Sequence, residues 1–271
     1  MGRALDPLDL FCVSTERHLA LCPVLRTFLT RWSALHDDDA GFRARCAQLV
    51  ELVTAAQATA EHRATRLFMV LDWALRRTTA TWLALAGLDV QATAWSRRAP
   101  LGSWEDLTAL APYLAESRAR ASVHGLQAER GRIVDEAQLT RAVALVGKAS
   151  GWHAAWAAIN AASLEGRGAT VSAAWFDAWC AVADAVRCVA LRDREVIERG
   201  LSEVRQSGLD LLVEMATLRG AAPQRLHAVV PHRPGKAPLT SRRARIALAE
   251  VRVHGSAHAS PTRRVARIVL D

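Results

Sequence analysis

Leu67, Leu71, Leu75, Trp82 and Leu85 fall on one stripe of helical period within RLFMVLDWALRRTTATWLALAGL (66–88), and similar stripes recur along most of the chain. A chain patterned in this way hides its apolar side by packing helix on helix, so the spacing predicts an all-α fold. The bulk that aromatic residues would supply comes mainly from alanine. Hydrophobic residues make up 51% of the chain and aromatics only 6%, and alanine both favours helix and lets helices approach closely.

The remaining helices are read the same way. Pro23 suits a first helical position, and Val24, Leu25, Phe28 and Trp32 predict a helix to about Leu35. HDDD (36–39) reads as a loop with Asp39 as N-cap, and Phe42, Cys46, Leu49, Val50 and Val53 predict the next amphipathic helix. Gly87 is expected to end the helix that carries the opening stripe, in the left-handed conformation. Ser103 with Asp106 imitates a capping box before a short helix that Pro112 is expected to interrupt or end, with another over 113–130. Residues 134–164 read as helical with a break near Ser150 and Gly151, and LEGRGAT (164–170) reads as a turn. A long helix over 171–199, a break at Gly200 and a last helix to about Leu218 complete a bundle of about seven or eight helices.

Beyond residue 218 the pattern changes. Prolines crowd between Pro223 and Pro261, and two stretches alternate with period two, Arg245–Val253 and Arg264–Leu270, which could pair as a β-hairpin. The expected organisation is therefore a helical domain over 1–218 and a basic, non-helical C-terminal tail over 219–271. Charge divides along the same line. The chain carries +8 in all; residues 219–271 hold eleven Arg and Lys against two acids, or +9, and residues 1–218 hold 24 bases against 25 acids, or −1. Nearly all the bases are arginine, Lys148 and Lys236 being the exceptions, a skew that reads as GC-rich codon usage rather than as guanidinium chemistry. The segment 66–88 likewise looks like helical proteins of GC-rich bacteria, a resemblance that implies no activity.

Several classes are disfavoured. Cys12, Cys22, Cys46, Cys180 and Cys188 are odd in number and lack a CxxC pair, and eight helical residues place Cys180 about 12 Å from Cys188, too far for a disulfide. Reduced thiols and a cytoplasmic location are expected. No apolar run reaches the roughly 18 residues of a membrane-spanning helix, and MGRALDPLDLF has neither the apolar core of a leader nor the Ser or Thr that myristoylation of Gly2 wants at position 6. No membrane association and no cofactor are expected.

Candidate chemistry is sparse. Glu61, His62 and Asp72 form the best titratable set, yet ten helical residues hold His62 and Asp72 about 15 Å apart; Asp72 with Arg76 at i, i+4 is the simpler pairing. HDDD offers oxygen ligands but reads better as a helix cap. His227, His232, His254 and His258 lack the cysteines that structural zinc usually takes. Trp152, Trp156, Trp175 and Trp179 predict a core in which Trp156 meets Trp179 across a turn, with Asp177, Asp184 and Arg187 as a wet stripe. The tail arginines, Arg242, Arg243, Arg245, Arg263, Arg264 and Arg267, are the candidate contacts for a partner protein or for phosphates. The expected function is a helical interaction or scaffold module, of the kind found in bacterial toxin-neutralising, defence and assembly systems, that binds another protein or a second copy through this tail or the surface it covers. The alternatives are a nucleic-acid binder that uses the same arginines and, third, a helical enzyme whose site is assembled from distant residues.

Overall fold

A computed structural model describes residues 21–35, 40–56, 59–162, 164 and 166–218. The chain divides into two units, Met1–Gln224 and Arg225–Asp271, and every described residue belongs to the first. The predicted Asp39 cap, Cys12, the tail strands, the four tail histidines and the six tail arginines lie outside the described residues.

The described residues are all-helical, in the order α1 (Pro23–Ala34), α2 (Ala40–Ala55), α3 (Ala60–Asp72), a π-helical segment (Trp73–Thr78), α4 (Thr79–Leu85), α5 (Asp89–Ser96), α6 (Trp104–Glu129), α7 (Glu136–Ala149), α8 (Trp152–Asn160), α9 (Gly168–Ala190) and α10 (Arg194–Ala216). Local chemistry places many of the boundaries. Pro23 opens α1 without needing the N–H it lacks. The hydroxyl of Ser103 accepts from the Asp106 N–H at 3.1 Å while the Asp106 carboxylate accepts from the Gly102 N–H at 3.0 Å, so the predicted cap forms with its return arm on the neighbouring residue. Asp135 and Asp193 cap α7 and α10, and Gly87 ends α4 in the left-handed region at φ 82°.

Trp32 is the centre of the core. Its ring, fully buried, lies 4.8 Å from Phe28 and 5.1 Å from Trp73, both tilted, and stacks at 6.4 Å on Phe42. Two glycines make room for it. A Cβ on Gly208 of α10 would overlap the indole, and a Cβ on Gly151 would come within 2.5 Å of it. Gly151 also turns the chain between α7 and α8 at φ 71°, so one residue serves both the predicted break and the packing.

Three expectations are corrected. Helix α6 runs through Pro112. Pro112 and Thr108, whose carbonyl loses its i+4 donor, are both exposed, so water can satisfy that carbonyl. The long packing of α6 on α9, the largest helix–helix contact among the described residues, outweighs the roughly 3 kcal/mol that an interior proline costs. The last break falls at Leu191–Asp193, and Gly200 lies inside α10, where a Cβ would come within 2.5 Å of Leu85 and 3.0 Å of Trp82. That glycine is needed for close approach of α10 to α4. The opening stripe also shifts. The π-helical turn rotates α4, so that Trp82 and Leu83 are fully buried while Leu85 is only partly so.

Replacing Gly208 by alanine should destabilise the protein by about 3 kcal/mol, since the added methyl displaces a ring boxed in on every side. Gly168→Ala, at the open start of α9 with nothing within 4 Å of the new Cβ, should be neutral or gain up to about 1 kcal/mol. Urea denaturation of the two variants, followed by far-ultraviolet circular dichroism, checks both.

Candidate functional site

The segment WALRRT (73–78) forms a single π-helical turn, and the Thr78 hydroxyl donates to the Trp73 carbonyl at 3.0 Å across it. Such turns sacrifice hydrogen-bond geometry and occur often at functional sites. Here the widened turn places two consecutive arginines, Arg76 and Arg77, on the wall of one surface trough of about 690 Å³. Ala80, Thr81, Ala84 and Leu85 of α4, Asp89, Ala92, Thr93 and Ser96 of α5, and Glu203 of α10 line the rest. Helix α5 turns back after Gly87 to meet both α4 and the π-helical segment, and this closes the trough on its second side.

The arginine end is rigid. Asp72, 3% exposed, receives Arg76 through two parallel bonds, Nε at 2.6 Å and Nη2 at 2.7 Å, the fork geometry that a guanidinium and a carboxylate share. A third donor, the Leu101 N–H at 3.0 Å, ties the carboxylate to the loop before α6. The simple i, i+4 pair read from sequence is thus a buried three-donor knot. Arg77 differs from its neighbour. Its Nε lies 3.6 Å from Asp72 and its Nη2 3.6 Å from Glu214, ion-pair rather than hydrogen-bond distances, and its side chain is 40% exposed. Its N–H donors can therefore serve a further acceptor. At the far end and on the α10 wall, Asp89 and Glu203 have no basic partner among the described residues.

The other sequence candidates are dispersed or inert. His62 pairs through Nδ1 with the Thr59 hydroxyl at the start of α3, and Asp72 stands at the other end of the same helix, away from Glu61 and His62. Trp152 meets Trp175 at 4.5 Å and Trp179 at 5.5 Å, and Trp156 meets Trp175 at 5.0 Å; the quartet is antiparallel as expected, and it is Trp152, where Trp156 was expected, that packs on Trp179. Rings this close leave no space for a ligand between them. Asp177, Asp184 and Arg187 are partly buried rather than a wet stripe: Arg118 of α6 binds Asp177 at 2.8 Å, and Arg187 holds Glu129 at 3.1 Å and Glu136 at 2.9 Å. Burial pushes the Cys46 thiol up to about 12 and the Cys188 thiol up to about 11, so both are poor nucleophiles at neutral pH. Among the described residues no group of three or more His, Cys, Asp and Glu could hold a metal ion, and no helix is long and apolar enough to cross a membrane. A second, apolar groove of about 380 Å³ runs between α7 and α10, with the half-exposed Leu145 beside Ala142, Ala190 and Ile197.

Two measurements test these charges. Asp72→Asn should cost about 3 kcal/mol, because it leaves the Arg76 guanidinium buried without its counter-charge, whereas Arg118→Ala, at an exposed pair, should cost no more than about 1 kcal/mol. Burial raises the pKa of Asp184 against the opposing fields of Arg187 and Arg118, with Glu129 adding to the rise. The native state therefore holds this proton more tightly than the unfolded chain, and ionisation of Asp184 costs stability as pH rises above 3.8. Asp184→Asn should melt higher than the parent at neutral pH, and the difference should shrink as pH falls toward 3.8.

Comparison with protein-family models, with curated proteins and with solved structures finds no match for this chain.

Proposed function

We propose that this chain is a protein-interaction module: a helical bundle that binds another protein, or a second copy of itself, through its basic C-terminal stretch. The observation that carries the reading is the division of charge, −1 over residues 1–218 against +9 over 219–271. Within the bundle Arg118 with Asp177, and Arg187 with Glu129 and Glu136, tie helices together, and Asp72 holds Arg76 within one continuous helical run. The net positive charge is concentrated in residues 219–271, which hold Arg242, Arg243, Arg245, Arg263, Arg264 and Arg267. The groove beside Leu145 adds apolar surface of the kind that receives the apolar face of a partner helix. Free, buried thiols at Cys22, Cys46 and Cys188 suit a reducing, cytoplasmic setting.

Cross-linking in cells with the full chain, followed by mass spectrometry, tests this. A specific protein, or a homodimer, should be recovered by the parent and lost when the six tail arginines are changed together to glutamine. Equal recovery by both proteins overturns the reading. Retention of DNA or RNA that falls steeply with salt, by about one log unit in affinity per log unit of salt for each phosphate contact, would instead assign the arginines to nucleic acid.

A further inference from the structure

We infer that the trough beside the π-helical turn receives a short extended segment of a partner protein that carries one acidic and one basic side chain near its two ends. This adds a contact on the bundle to the C-terminal one proposed above and rests on that interaction reading.

The trough carries opposite charges on its lining, Arg77 against Asp89 and Glu203. From Arg77 to Leu85 the helix advances about 12 Å, and α5 returns alongside it, with Ser96 at the arginine end and Asp89 beside the Gly87 turn. Arg77 therefore marks one end and Asp89 the other, with Glu203 on the α10 wall. Two small side chains, Ala80 and Ala84, line the stretch between them. A fully extended polypeptide rises about 3.3 Å per residue, so about four residues fill the length and set the two charges roughly three residues apart.

The charge inventory selects this class over others. Asp72 cancels Arg76, and Arg77 stands against Asp89, Glu203 and Glu214. A phosphate would meet more negative than positive charge over the trough as a whole. A single carboxylate on Arg77 leaves Asp89 and Glu203 unanswered, and a single cation there leaves the Arg77 donors unanswered. A segment bearing both satisfies each end. The buried Asp72–Arg76 pair and its Leu101 anchor hold the turn, so the docking surface is rigid before the segment arrives, which limits the ordering cost of binding.

Four acetylated and amidated hexapeptides probe the site: Ala-Glu-Ala-Ala-Lys-Ala, its charge-reversed counterpart Ala-Lys-Ala-Ala-Glu-Ala, and two single-charge controls with glutamine replacing the lysine or the glutamate of the first. Each is titrated into the isotope-labelled full chain and followed by amide chemical shifts. At least one dipolar peptide should shift amides of residues 76–96 and bind about fivefold or more tighter than the controls. Arg77→Gln and Glu203→Gln, each confirmed as folded by circular dichroism, should each erase that preference. Equal binding of all four peptides, shifts confined to other residues, a preference that survives both variants, or no binding up to about 10 mM overturns the proposal. Cross-linking with Arg77→Gln separates the two readings. A partner captured by this variant as well as by the parent leaves the interaction function standing and removes the trough as its seat, whereas capture that neither the parent nor the variant achieves removes the function itself.

Discussion

Trp32 occupies a slot that two other parts of the chain leave open, and the order of the bundle follows from that fit. Gly208 of α10 and Gly151 between α7 and α8 each give up a side chain at the place where the indole sits, while Phe28, Phe42 and Trp73 close the remaining sides. A ring of this size removed from water contributes several kcal/mol, but only where the slot has its shape. Helices from the beginning, middle and end of the described chain are thereby held in register by one side chain. Trp73 carries that order outward: its ring packs on Trp32 and its indole N–H donates to Ser207 of α10 at 2.9 Å.

Trp73 is also the first residue of the π-helical turn, so the core and the turn that borders the trough share a residue. The turn rotates α4 relative to α3 while keeping both packed on the same interior. Without it, the period established by Leu67, Leu71 and Leu75 would bring Leu85 to the core; with it, Leu83 takes that place, and Arg76 and Arg77 come out together on the trough. The buried Asp72–Arg76 pair stands at the N-terminal edge of the turn. Two costly features, poor helix geometry and a desolvated ion pair, are thus concentrated next to one surface trough.

Much of the fold was legible because its signals are local. The apolar stripe of α1, the Ser103 cap, the break at Gly151 and the Gly87 terminus each depend on residues within a turn or two. What escaped depends on distant partners. Gly200 reads in sequence as a break, but its missing side chain accommodates Leu85 and Trp82, more than a hundred residues earlier. Pro112 reads as a stop and is outweighed by the packing of α6 on α9. The trough itself was half legible: the spacing of Asp72 and Arg76 identified the pair, but nothing in LDWALRRTT distinguishes an α-turn from a π-turn. Consecutive Arg76 and Arg77 followed by Thr78 and Thr79, β-branched residues of modest helix propensity, are the only local trace. Nor could sequence place Glu203 across from them.

The contrast between the two arginines carries the functional argument furthest. Arg76 is fixed by a bidentate carboxylate, and its role is complete within the fold. Arg77, one residue on, stands at 3.6 Å from two carboxylates and hydrogen-bonds to neither. Were stability all that shaped this turn, the second guanidinium would gain by closing on Asp72 or Glu214, since a charged hydrogen bond contributes about 1.5 to 3 kcal/mol. Asp72 already accepts from Arg76 and from Leu101, which leaves little acceptor capacity for Arg77, and Glu214 of α10 is half-exposed. The fold thus spends one arginine to immobilise the turn and holds the other beside an open trough, charged but short of acceptors, where an acidic group from outside can complete its coordination.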